Sequence, residues 1–237
     1  MATAAPDTDV ALVIFDCDGV LVDSEPLAVE VLCDTLSGYG IDVPLQAAYR
    51  DFLGRSLSAI CERLQAEYGL DIAPERLNDM RHALYARYRK TLEPVPGIAG
   101  ALDRLKPRVC VASSSQPERI KLSLELTGLY KRFAPNVFSA TMVKKGKPAP
   151  DLFLYAARQM GVSPDRCLVV EDSPAGIAAA RAAGMAVFAF TGGGHAGPAG
   201  LNRLVAELSP DAIFDDMHTL PDLLSSLETK RSIGPRA

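Results

Sequence analysis

The chain has 237 residues, 48% of them hydrophobic and 23% charged, which is enough for one globular core with a smaller insert. Its net charge of −4 argues against broad binding to nucleic acid or anionic membranes, because both require clustered positive charge. No apolar run reaches the ~18 residues of a transmembrane helix, so no membrane span is expected.

Five short apolar runs predict β-strands, and helical patterns accompany them from the second run onward. This alternation is typical of a parallel sheet with helices on both faces, so it predicts an α/β fold with a Rossmann-like core. The predicted strands are Val10–Phe15, Val109–Ala112, Leu168–Val170, Ala186–Phe190 and Ala212–Phe214. The predicted helices of this core are Gly97–Lys106, Pro117–Thr127, Pro150–Met160 and Pro174–Ala183.

Residues 27 to about 93 interrupt this alternation and carry no strong strand pattern. Apolar residues with helical spacing occur there, and Pro74 suits the first turn of a helix. The predicted helices are Leu27–Leu36, Ser56–Tyr68 and Pro74–Lys90, and a turn at Leu92–Gly97 leads back to the sheet. We therefore predict a core of residues 1–23 and 95–237, a helical insert of residues 24–94, and a polar tail that frays from residue 228.

Cysteine usage favours a reducing compartment. The five cysteines are odd in number, scattered and without a CxxC pair, so each is interpreted as a small apolar filler. The first ten residues contain neither Lys nor Arg nor a long apolar run, so no secretory signal is expected. These features predict a cytoplasmic protein.

Acidic side chains follow two of the predicted strands. Asp16 and Asp18 end the first strand, and Glu171 and Asp172 end the strand that begins at Leu168. The carboxyl ends of parallel strands lie at one edge of a sheet, where ligands bind, so these four carboxylates are expected to meet. They would repel one another without a cation. An all-oxygen set of this kind suits Mg²⁺, and we predict a magnesium site there.

Hydroxyl groups and a lysine complete the predicted site. Ser113, Ser114 and Ser115 end the second strand and offer hydroxyl and turn N–H groups for a phosphate. Lys147 precedes a proline at the approach to a helix and offers a fixed positive charge. A single acid or serine in such a place is commonly only a helix cap, so it is the whole set that indicates phosphate chemistry.

Glycines and histidines elsewhere do not predict a site. Gly192–Gly194 follow a strand but lack a phosphate-loop pattern, and they are interpreted as a flexible connection. His82, His195 and His218 are isolated from one another, with no metal-ligand spacing.

Four motifs in this order resemble those of the haloacid dehalogenase superfamily, and the helical insert resembles the cap of its β-phosphoglucomutase-like phosphatase branch. The motifs are DCDGV, VASSS, GKPAPD and VVEDSPAGIAAARAAGM, and the resemblance extends from about Val10 to Phe190. Each motif is weak alone, whereas the ordered set is specific. The resemblance implies a Mg²⁺-dependent phosphatase for a small phosphorylated metabolite, and we expect a monomer.

The resemblance also implies a role for each matching residue. Asp16 would attack phosphorus and form an aspartyl-phosphate, while Asp18 would protonate the leaving alcohol and then activate water. Ser113, with its neighbour Ser114, and Lys147 would hold the transferring phosphoryl group. The ligands of Mg²⁺ would be Asp16, the backbone carbonyl of Asp18 and Asp172, with Glu171 bound directly or through water.

Weaker similarities suggest the substrate class. FLGRSL at Phe52–Leu57 resembles the cap loop that enters the site in this branch, so Arg55 is predicted to contact the substrate. ALDRLKPRVCVASSS is similar to members that hydrolyse 6-phosphogluconate. A sugar or sugar-acid phosphate is therefore the expected substrate.

Two other functions remain open from the sequence. A phosphosugar mutase would share the chemistry, but mutases of this branch carry a His in the first cap helix, where this chain has Ala28. A phospho-receiver module also combines an Asp, a hydroxyl, a Lys and Mg²⁺. The helical insert and Asp18 beside the nucleophile disfavour it, because a receiver must keep its acyl-phosphate.

Overall fold

A six-stranded parallel sheet lies at the centre of the computed structural model, which describes residues 9–53, 57–70 and 72–233. Its strands are β1 Leu12–Phe15, β2 Arg108–Ser113, β3 Val137–Ser139, β4 Cys167–Glu171, β5 Ala186–Phe190 and β6 Ala212–Phe214. They are ordered β3-β2-β1-β4-β5-β6, so the first strand lies in the middle and the strand order reverses beside it. The prediction of a Rossmann-like parallel α/β fold with inserted helices is confirmed.

The strands are apolar because helices cover both faces of the sheet. Every residue of β1, β4 and β5 is buried. Val13 and Phe15 join one hydrophobic cluster, which includes Phe133, whereas Leu12 and Ile14 join a second cluster. This alternation is the period of two that a strand imposes on its side chains.

Helices pack on the sheet, and four of them follow β1 as an inserted segment. The helices before β2 are α1 Glu25–Ser37, α2 Leu45–Phe52, α3 Leu57–Tyr68, α4 Pro74–Thr91 and α5 Ile98–Arg104. Those after it are α6 Pro117–Leu126, α7 Tyr130–Phe133, α8 Asp151–Met160, α9 Pro174–Ala182, α10 Leu201–Ala206 and α11 Leu220–Ile233. Across the part of the chain that is described, no helix has the length and apolar character needed to cross a bilayer.

The inserted segment, α1 to α4, has a hydrophobic cluster of its own. Leu36, Phe52 and Leu64 are buried in this cluster, one from each of the first three helices. Tyr88 of α4 packs instead with the residues of the sheet. The insert therefore has both its own apolar centre and a firm contact with the core, and its definition as a separate domain stays a prediction.

Several parts of the chain differ from the sequence expectations, which lack the helices α2, α7 and α10. Those expectations omit β3, a strand of three residues in which only Val137 and Phe138 are apolar. The expectation of a frayed tail from residue 228 is wrong as far as Ile233, where α11 ends. Leu223 and Leu227 pack α11 against the core, and Arg231 donates a hydrogen bond to the backbone oxygen of Asp165 at 3.0 Å.

Candidate active site

Polar residues gather at the carboxyl ends of three neighbouring strands. Asp16 follows β1, Ser113 ends β2, and Glu171 ends β4 with Asp172 next to it. Because β1 pairs with β2 on one side and with β4 on the other, these residues lie side by side. All four are buried, with exposures of 7%, 1%, 0% and 6%. The topology thus brings together acids that are separated by most of the chain.

Lys147 lies between two of these carboxylates. Its Nζ donates to Asp16 Oδ1 at 2.5 Å and to Glu171 Oε1 at 2.6 Å. Burial alone would lower the pKa of Lys147, but the two carboxylates raise it above its ordinary value. The ammonium therefore stays charged and offsets part of the repulsion between the acids.

Three carboxylates share this part of the site with the Lys147 ammonium. Asp16, Glu171 and Asp172 each offer an oxygen, and these atoms lie within 4.8 Å of one another. Burial raises the pKa of Asp16 well above its ordinary value; Lys147 opposes this effect and the neighbouring carboxylates strengthen it. Ionised, the three acids carry more negative charge than Lys147 balances. A buried set of oxygen ligands with surplus negative charge fits Mg²⁺, a hard cation that binds carboxylates.

Glu171 is held in place by the first turn of α9. Its Oε2 accepts hydrogen bonds from Ser173 N at 2.7 Å and from Ser173 Oγ at 2.9 Å. Ser173 Oγ in turn accepts from Gly176 N at 3.0 Å, which caps the helix. A Cβ at residue 176 would lie 1.7 Å from Glu171 Oε1, so the glycine leaves the space that the carboxylate occupies.

Asp172 is contacted by a residue that the sequence expectations leave out. His195 Nε2 lies 2.8 Å from Asp172 Oδ2, and the imidazole is buried. This histidine belongs to the loop after β5, whose Gly194 N donates to Asp23 Oδ1 at 2.9 Å. The loop interpreted as a flexible connection therefore packs against the acids. Spacing along the chain could not reveal this contact, because the two partners follow different strands.

Asp18 has a different set of partners. Ser24 Oγ and Arg119 Nη2 donate to its Oδ1 at 2.6 Å and 2.8 Å, and Ser115 Oγ donates to its Oδ2 at 2.6 Å. Burial alone would raise the pKa of Asp18, but Arg119 and the two hydroxyls lower it. Sequence reasoning misses Arg119. Its one signal is a basic residue in the first turn of α6, where the helix dipole disfavours positive charge.

The two serines predicted to seat a phosphate differ in exposure. Ser113 is buried, and its Oγ accepts a hydrogen bond from Ser115 N at 3.1 Å. Ser114 is exposed and lines the cavity. Arg55, predicted to contact the substrate, lies outside the described residues.

The site opens into a cavity of about 770 Å³ between the sheet edge and the inserted helices. Its polar end holds the acids, Lys147 and the serines. Glu25 also lines it, and burial raises the pKa of Glu25 to about 7. The helical wall is formed mainly by half-buried apolar and aromatic side chains, namely Ala28, Leu53, Ile60, Leu77, Leu84 and Tyr85. The cavity has the size of a small-molecule site.

Comparison with known proteins identifies the family. The sequence model of the haloacid dehalogenase-like hydrolases matches residues 10–184. The chain belongs to this family. It is 30% identical over 187 residues to the 6-phosphogluconate phosphatase of Escherichia coli K12, a match that covers 78% of this chain and 85% of that protein. The predicted family and hydrolase class are therefore confirmed.

Two further relatives extend this result. The haloacid dehalogenase-like chain is 34% identical over 178 residues to the fructose-1-phosphate phosphatase of Escherichia coli K12, with 73% of this chain and 92% of that protein covered. It also matches the solved structure of a conserved haloacid dehalogenase-like protein of unknown function from Agrobacterium tumefaciens C58. That match has a TM-score of 0.81 and 36% identity, and it covers 92% of this chain and 98% of the other.

In this haloacid dehalogenase-like hydrolase, the two aspartates of the DCDGV motif face different partners. Asp16 contacts Lys147, whereas Asp18 contacts Arg119 and two hydroxyls. Asp16 also lies with two other carboxylates, Glu171 and Asp172, that could bind a metal ion. Asp18 lies among hydrogen-bond donors. Such a division allows the first to act on an electrophile and the second to move a proton.

Proposed function

We propose that the protein is a Mg²⁺-dependent phosphatase that hydrolyses a small sugar or sugar-acid phosphate through an aspartyl-phosphate on Asp16. The observation that carries this proposal is the Asp16 carboxylate at the end of the central strand. It lies 2.5 Å from Lys147 Nζ and groups with Glu171 and Asp172 within 4.8 Å. Attack on an anionic phosphoryl group needs a nucleophile beside positive charge, and this arrangement supplies both. The relatives named as sugar-phosphate phosphatases support the substrate class.

The metal would be held by Asp16, Glu171, Asp172 and the backbone carbonyl of Asp18. When bound, Mg²⁺ neutralises charge on the phosphoryl oxygens. Lys147, which stays protonated, would hold one phosphoryl oxygen beside the Asp16 carboxylate. The Ser113 hydroxyl and the turn at Ser114 would hold the remaining oxygens.

Asp16 and Asp18 would perform separate tasks. An oxygen of Asp16 would attack phosphorus while the bond to the leaving oxygen breaks, and Asp18 would give that oxygen a proton. In the second step Asp18 would take a proton from water, whose oxygen attacks phosphorus. The bond between phosphorus and Asp16 then breaks, and inorganic phosphate leaves.

The inserted helices would form a cap, residues 24–94, over a core of residues 1–23 and 95–237. Closure of such a cap would exclude bulk water from the cavity. Arg55 is the proposed substrate contact from this cap. Ala28 lines the cavity where mutases of this branch carry a His, which supports hydrolysis over transfer between sugar positions.

A screen of phosphorylated metabolites for phosphate release, with Mg²⁺ and with EDTA, tests the proposal. We expect Mg²⁺-dependent release from a sugar or sugar-acid phosphate, and loss of turnover in Asp16→Asn with the fold intact by circular dichroism. Asp103→Asn is the matched control, because Asp103 is an exposed aspartate paired with Arg132. Retained turnover in Asp16→Asn would refute the nucleophile, and isomerised sugar phosphate in place of free phosphate would identify a mutase.

A further inference from the structure

Arg119 occupies an unfavourable place for a cation. α6 begins at Pro117, so Arg119 lies in the first turn, where the helix dipole is already positive. Its side chain is 22% exposed, so its charge is also partly removed from water. Both effects act against a basic residue at this position unless a nearby anion compensates for them.

The compensating anion is the carboxylate of Asp18. Arg119 Nη2 lies 2.8 Å from Asp18 Oδ1, and the Asp18 side chain is 10% exposed. The other two contacts of this carboxylate come from the hydroxyls of Ser24 and Ser115, each at 2.6 Å. A hydroxyl rotates and can donate or accept, whereas the guanidinium is a fixed donor with a permanent charge. Arg119 is therefore the partner that fixes the orientation of Asp18.

Arg119 also contacts the inserted helices. Its guanidinium carbon lies 5.6 Å from the centre of the Tyr88 ring, and Tyr88 of α4 is 1% exposed. A guanidinium over an aromatic face is attracted by the π-electrons of the ring. The same side chain thus joins three parts of the molecule: α6, the segment that follows β1, and the last helix of the insert.

We propose that Arg119 is a positioning residue whose guanidinium, packed on Tyr88, holds the Asp18 carboxylate in the orientation used for proton transfer. The inference rests on the proposed function, in which Asp18 is the acid and then the base. Within the described residues, Arg119 Nε has no hydrogen-bond partner, and the bond to Asp18 comes from Nη2. A lysine could therefore restore the bond and the charge but not the planar packing on the ring.

Dependence on the leaving group distinguishes this role from a structural one. An activated aryl leaving group departs without a proton, whereas a sugar alcohol needs one. Arg119→Met should lower kcat/KM about 10²-fold for the sugar phosphate that the wild-type enzyme hydrolyses fastest, but less than about 10-fold for p-nitrophenyl phosphate. Arg119→Lys should recover most of the loss on the sugar phosphate. Thermal unfolding of each variant shows whether it is folded.

Lys121→Met is the matched control for a lost cation on α6. Lys121 has an acidic partner, Glu125 at 3.8 Å, and lies 5.9 Å from the Tyr130 ring, but it is exposed and does not line the cavity. We expect unchanged kcat/KM for both substrates. A second control combines Arg119→Met with Asp18→Asn. It should be within about 3-fold of Asp18→Asn alone, because both changes remove the same step.

An equal loss of kcat/KM on the two substrates would overturn the role of Arg119 and leave the proposed phosphatase activity intact. So would full additivity of the losses caused by Arg119→Met and Asp18→Asn. Turnover by Asp16→Asn would instead overturn the proposed function. If Arg119→Met does not fold, Arg119→Leu provides the same comparison, since leucine also lacks both the N–H donors and the charge.

Discussion

Two cations, Lys147 and Arg119, separate the carboxylates of the site. Lys147 contacts Asp16 and Glu171, whereas Arg119 contacts Asp18. A buried charge is tolerated when a partner of opposite sign lies against it, and removal of that partner is costly. Asp16 and Asp18, two residues apart in the chain, thereby face different cations. In the proposed mechanism, this separation is the residue-level reason that Asp16 would serve the metal and the nucleophilic step while Asp18 would serve proton transfer.

His195→Ala should weaken Mg²⁺ binding. The change removes the 2.8 Å contact to Asp172 Oδ2. Loss of a hydrogen-bond partner of a metal-binding side chain commonly lowers the metal affinity by ~10–100-fold. Isothermal titration of the wild-type protein and the variant with Mg²⁺ measures the effect without turnover. His218→Ala is the control, because His218 forms an exposed pair with Asp216 at the same 2.8 Å. Equal affinity of His195→Ala and wild type would contradict the prediction.

At the scale of elements, the start of α9 both caps a helix and positions the Glu171 carboxylate. Gly→Ala in a helix interior ordinarily stabilises by up to ~1 kcal/mol. In Gly176→Ala the new Cβ would lie 1.7 Å from Glu171 Oε1, so we expect the opposite sign, a loss of ~1–3 kcal/mol in the free energy of unfolding. Urea denaturation measures this difference.

Gly100→Ala in α5 is the comparison for that experiment. A Cβ at Gly100 meets nothing within 4 Å, so the ordinary helix preference applies and the free energy of unfolding should rise by up to ~1 kcal/mol. Stabilisation of similar size in both variants would show that the Glu171 carboxylate moves aside freely.

The strands and the sheet edge at which they end were predictable from the sequence, whereas individual side-chain contacts between a helix or loop and the acids were not. Short apolar runs predicted five of the six described strands, and parallel topology then predicted that the acids after β1 and β4 lie close together. The contacts of Arg119 with Asp18 and of His195 with Asp172 depend on the rotation of α6 and the path of the loop after β5. Neither quantity is encoded in local spacing, so sequence reasoning missed both residues.

For the whole molecule, surplus negative charge at the sheet edge links metal binding to global stability. A ligand that binds only the folded state stabilises it by about 2.7 kcal/mol at 100 times its Kd, or a Tm rise of roughly 5–10 °C for a chain of this size. We expect such a rise with Mg²⁺ relative to EDTA. Asp172→Asn should remove most of it, since Asp172 belongs to the carboxylate group.

Asp222→Asn is the control for the Tm experiment, because Asp222 is an exposed aspartate paired with Arg104. It should keep the wild-type response to Mg²⁺. An undiminished rise in Asp172→Asn would place the stabilising ion elsewhere in the molecule.

The central position of β1 has a consequence for synthesis on the ribosome. β1 leaves the exit tunnel first, yet its second neighbour, β4, ends only at Glu171. Until β4 has been made, one edge of β1 therefore has no partner strand. Asp16 gains Glu171 and Asp172 only when β4 has been made, and His195, the partner of Asp172, follows later still. Under the proposed function, a chain that stops before β4 would hold Asp16 without Glu171 and Asp172, so we expect no active fragment along the way.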